Sequence, residues 1–346
     1  MNKVTFLIAL FSLSINLISS DYIKAVHDLF FFGTGSAKIE AQGGSGSVIS
    51  DGVFSVTHNP SLFPRNEKFS ASFSTYGPYS SYQDSKYIFA GTGLSIGNKI
   101  SVSVVTSSFD LGENVEVLDD DSLLAALFIP SGSRHIVGIN FKPGRSFSVG
   151  ASGNFYELNS HDGNSEKTHT SFGLDVGIHN IVNVSKSSRA RHRTCFGLTA
   201  RNIYGKKISG SVLPNILTAG LEYSMIPELY NPFGGPIWPV IISFSGEFGY
   251  AINTEYSKVS GGLETFFFET LALRCGYYSM EIKNENIRKF TYGFGLDLPV
   301  YRYDSINLPL LLRFSYVNFP GVERSSAPAS DYSNYSLTLS WMRRRD

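Results

Sequence analysis

From residue 68 onward the chain alternates apolar and polar side chains in segments about ten residues long, a pattern that leaves little choice of fold. Residues 68–76 set Phe69, Ala71 and Phe73 against Ser70, Ser72 and Ser74. Residues 171–179 set Phe172, Leu174, Val176 and Ile178 against Ser171, Gly173, Asp175, Gly177 and His179. Residues 214–224 set Leu217, Ala219, Leu221 and Tyr223 against Thr218, Gly220, Glu222 and Ser224. Successive side chains of an extended chain point to opposite faces, so each segment is a strand with one face in an apolar medium and one in a polar medium. The same reading places strands at 68–76, 86–96, 99–109, 135–142, 147–158, 169–179, 194–203, 215–224, 240–250, 256–267, 270–279, 288–298, 309–318 and 334–342. Most have the length of about 9–11 residues with which a tilted strand crosses a bilayer.

The connections carry a second pattern. Short links at 97–98, 143–146 and 268–269 alternate with longer ones, notably 110–134 and 319–333, which is the layout of an outer-membrane barrel. Against that pattern, 180–193 and 225–239 are long for the short side and 251–255 is short for the long side. The competing fold is a soluble β-sandwich, but its strands average about 5–6 residues. Its outer face also carries Lys, Glu and Thr, where the polar face here is mostly Ser and Gly with a few charges. The expectation is an all-β protein, a transmembrane antiparallel β-barrel of about 14 strands. Charged residues are 17% of the chain, below the roughly 25% usual for soluble domains. The net charge is zero, which argues against a nucleic-acid binder with a basic field.

At the N-terminus, Lys3 precedes an apolar stretch over 4–18 that ends in Ser19-Ser20, the build of a secretory signal peptide over 1–20. The alternative, a membrane anchor, asks for about 20 apolar residues, and this stretch is shorter and interrupted by Thr5, Ser12, Ser14 and Asn16. The expected destination is the cell outer membrane.

Catalytic and metal-binding patterns are missing from the sequence. Gly33-Thr34-Gly35 and Gly43-Gly44-Ser45-Gly46 lack the Lys-Ser/Thr of a phosphate loop. Asp119-Asp120-Asp121, with Glu113 and Glu116, lacks the spacing of a calcium loop and reads as a solvated extracellular segment. No HExxH or Gly-x-Ser-x-Gly occurs, so no catalytic residue, metal ligand or cofactor is assigned. Cys195 and Cys275 fall on strands that are not neighbours, which argues against a disulfide. Lys186, Arg189, Arg191 and Arg193 form a basic run, read as a solvated periplasmic turn. The lumen-facing charges are Glu264, Arg274, Arg201 and Glu222. If 267–269 turns the chain, 264 faces 272 and 262 faces 274, which sets Glu264 and Arg274 diagonally on one face, within reach of each other. That face is the lumen, because charges on the lipid side are costly. Pro60 fixes its own φ and biases Asn59 toward an extended backbone, while the Asn side chain bonds nearby backbone groups. The dipeptide is expected to set the angle at which the preceding segment enters the first strand.

Residues 32–63, a Gly/Ala-rich stretch followed by Asp51 and then Asn59-Pro60-Ser61 with Leu62-Phe63 behind it, resemble the N-terminal region of the FadL-type outer-membrane long-chain fatty-acid transporters. They resemble equally the related PorV/PorQ-like and UPF0164 families, in which Ala usually stands where Ser61 does here. FGLTARN over 196–202, PNILTAGLEY over 214–223 and LALRCGY over 271–277 support the resemblance, which spans about 30 to 342. Arg343-Arg344-Arg345-Asp346 departs from the terminal aromatic residue common in such barrels. The resemblance implies a plug over 21–67 inside a barrel over 68–346, with Asn59, Pro60 and Ser61 as the plug motif. Three functions follow as expectations: a passive channel for hydrophobic small molecules, a PorV-like accessory of type IX secretion, or a structural or adhesive surface barrel. The expected partners are outer-membrane lipid, a hydrophobic ligand or secretion-system proteins, and no nucleic acid.

Overall fold

The computed structural model describes residues 34–64, 67–77, 86–110, 115–118, 124–128, 131–161, 166–186, 190–205, 207–208, 211–227, 240–253, 256–268, 270–282, 285–300, 309–319, 323–324, 327–328 and 332–342. The signal-peptide segment 1–20, residues 21–33, the acidic residues 113 and 119–121, Arg189 and the tail 343–346 lie outside the described residues.

Fourteen strands close into one antiparallel barrel in which each pairs with its sequence neighbours. They are β1 (Glu67–Gly77), β2 (Lys86–Ile96), β3 (Ile100–Asp110), β4 (Ser131–Phe141), β5 (Phe147–His161), β6 (Glu166–Lys186) and β7 (Ala190–Arg201). The second half is β8 (Ile216–Pro227), β9 (Ile241–Ala251), β10 (Tyr256–Phe267), β11 (Leu271–Ile282), β12 (Glu285–Pro299), β13 (Leu310–Phe319) and β14 (Tyr332–Met342). The barrel closes where β1 meets β14, with Phe69 opposite Trp341 and Tyr76 opposite Asn334. Three two-stranded ladders, at 115–118 with 124–128, 207–208 with 211–212 and 323–324 with 327–328, lie outside the barrel.

The strand ends remove one of the three irregularities in the loop pattern, at 180–193, while the link after β8 remains long and the link after β9 remains short. β6 continues to Lys186 and β7 begins at Ala190, so only 187–189 lie between them. The stretch 180–193 is thus mostly strand, and Arg191 and Arg193 lie on β7 rather than in a turn. Glu67 and Met342, the two ends of the barrel chain, share one rim with the short connections after β2, β4, β6 and β10, which makes that rim periplasmic.

Solvent exposure is inverted relative to a soluble protein. Along β9, Phe248 is 53% exposed while its neighbour Glu247 is 6% exposed. Phe73, Leu94, Ile139, Leu221 and Leu337 are likewise exposed, while Ser70, Ser72, Ser74, Ser336 and Ser340 are buried. A sandwich hides its apolar faces against each other, whereas this barrel turns them outward all round, which only a hydrocarbon surrounding stabilises. No helix among the described residues is long and apolar enough to cross a membrane; the strands do the crossing.

The core lies between the barrel wall and residues 34–64, which are buried almost throughout. Within this plug, helix α1 (Ala37–Ala41) starts at Ser36, whose hydroxyl accepts from the Ile39 amide at 3.0 Å. It stops at Gly43 and Gly44, whose φ of 70° and 74° suit residues without a Cβ and whose amides close back on Glu40 and Ile39. Ala37 and Ala41 cluster with Val317 of β13. A 3-10 turn (Gly52–Thr57) presents Phe54 edge-on to Phe89 of β2, with ring centroids 6.1 Å apart.

Candidate functional site

The plug is seated by close backbone approach along an arc of wall glycines. A Cβ on Gly150 of β5 would overlap the Pro60 carbonyl, and one on Gly177 of β6 would overlap the Asn59 side chain. A Cβ on Gly197 of β7 would strike the Ser47 carbonyl, while Gly262 of β10 and Gly276 of β11 leave room for the backbone around Gln42. Strand parity marks these glycines as lumen-facing, but a glycine in the sequence cannot say what lies against it. The seat was therefore not readable before the fold.

Asn59 is the polar centre of this seat. Its Nδ2 donates to the Ser47 carbonyl at 2.8 Å and to the Ile178 carbonyl of β6 at 3.2 Å. Its Oδ1 accepts from the Ser61 amide at 3.0 Å and the Ser61 hydroxyl at 2.6 Å. One side chain thus ties two parts of the plug to each other and to the wall. Ser61 adds a hydrogen bond that an alanine cannot make. Nearby, the Ser148 hydroxyl donates to the Ser61 carbonyl at 2.9 Å and the Lys142 ammonium to the Phe63 carbonyl at 2.6 Å.

Charged groups tie the plug to the wall elsewhere, and these contacts escaped the sequence reading. The Glu40 carboxylate accepts from the Tyr76 hydroxyl, the Thr34 amide and hydroxyl, and Asn334 Nδ2. Burial pushes the Glu40 carboxyl up from its ordinary range, and these donors oppose the rise. The Ser47 amide donates to Glu247 Oε2 at 2.7 Å, and Lys258 Nζ reaches both the Gly44 carbonyl and Glu247. Arg313 bridges Asp51 of the plug, at 3.2 Å, and Asp297 of β12, at 3.1 Å. Alternation alone puts Glu247, Asp297 and Arg313 on the lumen side; only the ring closure and the plug path give them partners. Burial, and after it the charges of Arg201, Lys258 and Arg134, hold the His58 imidazole well below its ordinary range.

On the periplasmic side of the plug two adjoining cavities of about 290 and 360 Å³ share Lys38, Arg193, Glu222 and Glu264 on their walls. Charge pairs and apolar side chains line this vestibule together. Arg274 Nε donates to Glu264 Oε2 at 2.6 Å, and Arg193 Nη2 donates to Glu222 Oε1 at 3.3 Å. Val48, Ile49, Leu62 and Phe63 of the plug face one cavity, and Ile226, Ile241 and Phe266 of the wall face the other. Glu264 lies directly opposite Arg274, not diagonal to it. The turn sits one residue later than the sequence suggested, because Phe268 adopts a left-handed backbone (φ 55°) and the Thr270 amide bonds back to the Phe267 carbonyl.

Of the four expected lumen charges, the structure brings Glu264, Arg274 and Glu222 to the vestibule. Arg201 stands apart, buried at the extracellular end of β7. The groups acting on it are Arg134, Asp175, Tyr156 and Tyr256, and Arg134 itself donates to Asn154 Oδ1 at 2.7 Å. Cys195 is buried and Cys275 is exposed, and neither is bonded to the other.

No protein-family model matches the chain. No curated protein sequence matches it either. Solved structures do. A deltaS2S3 mutant of the monoaromatic hydrocarbon channel TodX superposes with a TM-score of 0.53 at 12% identity, covering 89% of this chain and 99% of that one. The toluene transporter TbuX of Ralstonia pickettii gives 0.51 at 11% identity, covering 92% and 100%. The monoaromatic hydrocarbon channel CymD gives 0.51 at 10% identity, covering 91% and 99%. At such identities the likeness is one of fold, and the chain shares the fold of these channels and this transporter over nearly the full length of each.

Proposed function

We propose that the protein is a passive outer-membrane channel for small hydrophobic or amphipathic molecules and has no enzymatic activity. The observation that carries this reading is the occluded lumen. A general porin keeps an open aqueous pore, whereas here residues 34–64 fill the barrel and leave cavities of about 290 and 360 Å³ beside the plug. That is the scale of a small-molecule pocket, roughly 300–1,000 Å³. Apolar side chains alternating with fixed charge pairs suit a molecule with an apolar body and a polar edge. The hydrocarbon channels and the toluene transporter that share the fold support the same class of cargo. The test is probe uptake by cells with and without the gene, across aromatic hydrocarbons and fatty acids. Faster uptake of at least one class in the gene-bearing strain is expected; equal uptake of all of them rejects transport.

A second reading has its own support. The plug is held by close backbone approach at wall glycines and by buried carboxylates, a seat suited to staying shut. A permanently closed barrel fits an accessory of protein secretion that carries no small molecule. Equal probe uptake combined with loss of surface-exposed secreted proteins on gene deletion selects this reading.

A further inference from the structure

The chain has no net charge, yet its exposed charges are unevenly placed. At the periplasmic rim the exposed ionisable side chains among the described residues are Lys68, Lys99, Arg145, Arg191 and Arg193, all cations. The carboxylate next to Lys68, Glu67, is buried. A bulge in the pairing of β1 with β14 between Glu67 and Phe69 accompanies this split, leaving Lys68 exposed. At the opposite rim the signs mix: Asp110, Glu157 and Glu281 are exposed together with Lys167 and Arg288.

A second observation fixes the height of three of these cations. Lys68 is adjacent to Phe69, which pairs with Trp341 across the closure, and both rings are exposed on the lipid face. Lys99 is adjacent to exposed Ile100, which pairs with exposed Phe141. Arg145 lies two residues before exposed Phe147. Lipid-facing aromatic side chains mark the level of the headgroups in such barrels. The three cations therefore stand at the headgroups of the periplasmic leaflet, on neighbouring hairpins of one arc, β1 to β5.

We propose that this arc binds anionic phospholipid headgroups of the periplasmic leaflet and so gathers an annulus of acidic lipid along one side of the barrel. The proposal rests on the membrane placement of the barrel and is independent of what the channel carries. A lipid fits better than an acidic protein, because the charges sit on short connections beside lipid-facing rings rather than on a projecting surface. Each Lys or Arg near an anionic surface contributes about fivefold to binding. The attraction should fade as salt shortens the screening length from about 10 Å toward about 3 Å at 1 M.

The test uses the full chain in nanodiscs, carrying Trp238→Phe so that Trp341 is the sole indole, with quenching by brominated phosphatidylglycerol compared with brominated phosphatidylcholine. Preferential quenching by phosphatidylglycerol at low salt is expected, with a decline in 1 M salt. Lys68→Gln with Lys99→Gln and Arg145→Gln should weaken the preference by an order of magnitude or more, while Lys167→Gln at the other rim leaves it intact. Heat-modifiable migration on gels confirms that each variant is folded, and native mass spectrometry of retained lipid gives a readout that does not depend on the indole. Equal quenching by both lipids overturns the proposal. So does a triple variant that keeps the lipid preference but loses co-purification of an acidic periplasmic protein.

Discussion

The seat of the plug and the vestibule beneath it are both lined by lumen-facing residues, yet they are built on different physics. The seat is steric: plug backbone lies against glycines on four strands and the Asn59 side chain against Gly177 on a fifth, where one added carbon has nowhere to go. The vestibule is electrostatic: Glu264 with Arg274, Arg193 with Glu222 and Arg313 with Asp297 face a space large enough for a small molecule. The contrast separates what holds the lumen closed from what a passing molecule meets. Close packing cannot be adjusted in small steps, whereas charge pairs beside a cavity can be rearranged by water or by a ligand.

The largest effect should come from breaking the most enclosed pair of the vestibule. Glu264→Leu leaves Arg274, only 5% exposed, without its carboxylate. Removing one partner of a buried pair costs about 3–5 kcal/mol, less to the extent that water enters the vestibule. Thermal unfolding should show the loss, and Glu264→Leu with Arg274→Leu should recover part of it. If the double variant loses the sum of the two single losses, the residues do not interact and the vestibule is not electrostatic in origin.

Overpacking the seat comes next. Gly150→Val drives two methyl groups toward the Pro60 carbonyl and should cost on the order of 1–3 kcal/mol, taken up by displacing the plug rather than opening the wall. Planar-bilayer conductance should rise. Gly246→Ala is the control, since a Cβ there meets nothing nearer than the Ser260 carbonyl oxygen at 3.8 Å. Equal conductance in the two variants would show that the seat tolerates bulk.

Asn59→Ala removes the donor shared by the Ser47 and Ile178 carbonyls. Leaving the buried Ser47 carbonyl without this donor costs about 1–3 kcal/mol, so conductance should rise, but less than in Gly150→Val because the backbone contacts remain. Full closure in Asn59→Ala would assign the seat to sterics alone.

His58 gives a smaller, pH-dependent effect. It belongs to the plug, and burial keeps it neutral in the folded barrel. Because its folded pKa is depressed, the unfolded chain binds the extra proton more readily. The contribution to stability is therefore present above about 6.5, the ordinary histidine value, and is lost as pH falls below it. Melting temperature measured from pH 7.5 down to 5.5 should fall less in His58→Gln than in the native chain; parallel curves would exclude His58 as the cause. The smallest effect belongs to Arg193→Gln. Half of this side chain is exposed, at 49%, and exposed pairs contribute about 0.2–1 kcal/mol. Its removal should leave the melting temperature nearly unchanged while altering the ion selectivity of any residual conductance.

The fourteen strands were legible because each carries its own record of inside and outside in a period of two, and because crossing a bilayer sets their length. Phe69, Phe73, Leu221 and Phe248 already say lipid, and Ser72, Glu222 and Glu247 already say lumen, without reference to any neighbour. Strand ends were less legible. Polar side chains such as Arg191, His192 and Arg193 look like a turn in one dimension, and only pairing with β8 makes them strand. Register also needed the structure, since the left-handed Phe268 shifts the β10–β11 hairpin by one step and sets Glu264 squarely against Arg274. Partnership across the lumen was beyond the sequence altogether. Asp51 meets Arg313, and Glu40 meets Tyr76 and Asn334, at separations in the chain that only ring closure and the return path of the plug can span. Alternation is a local property and survives in the sequence; which lumenal groups touch depends on how many strands close the ring and where the plug lies within it, and that is decided only when the whole barrel has formed.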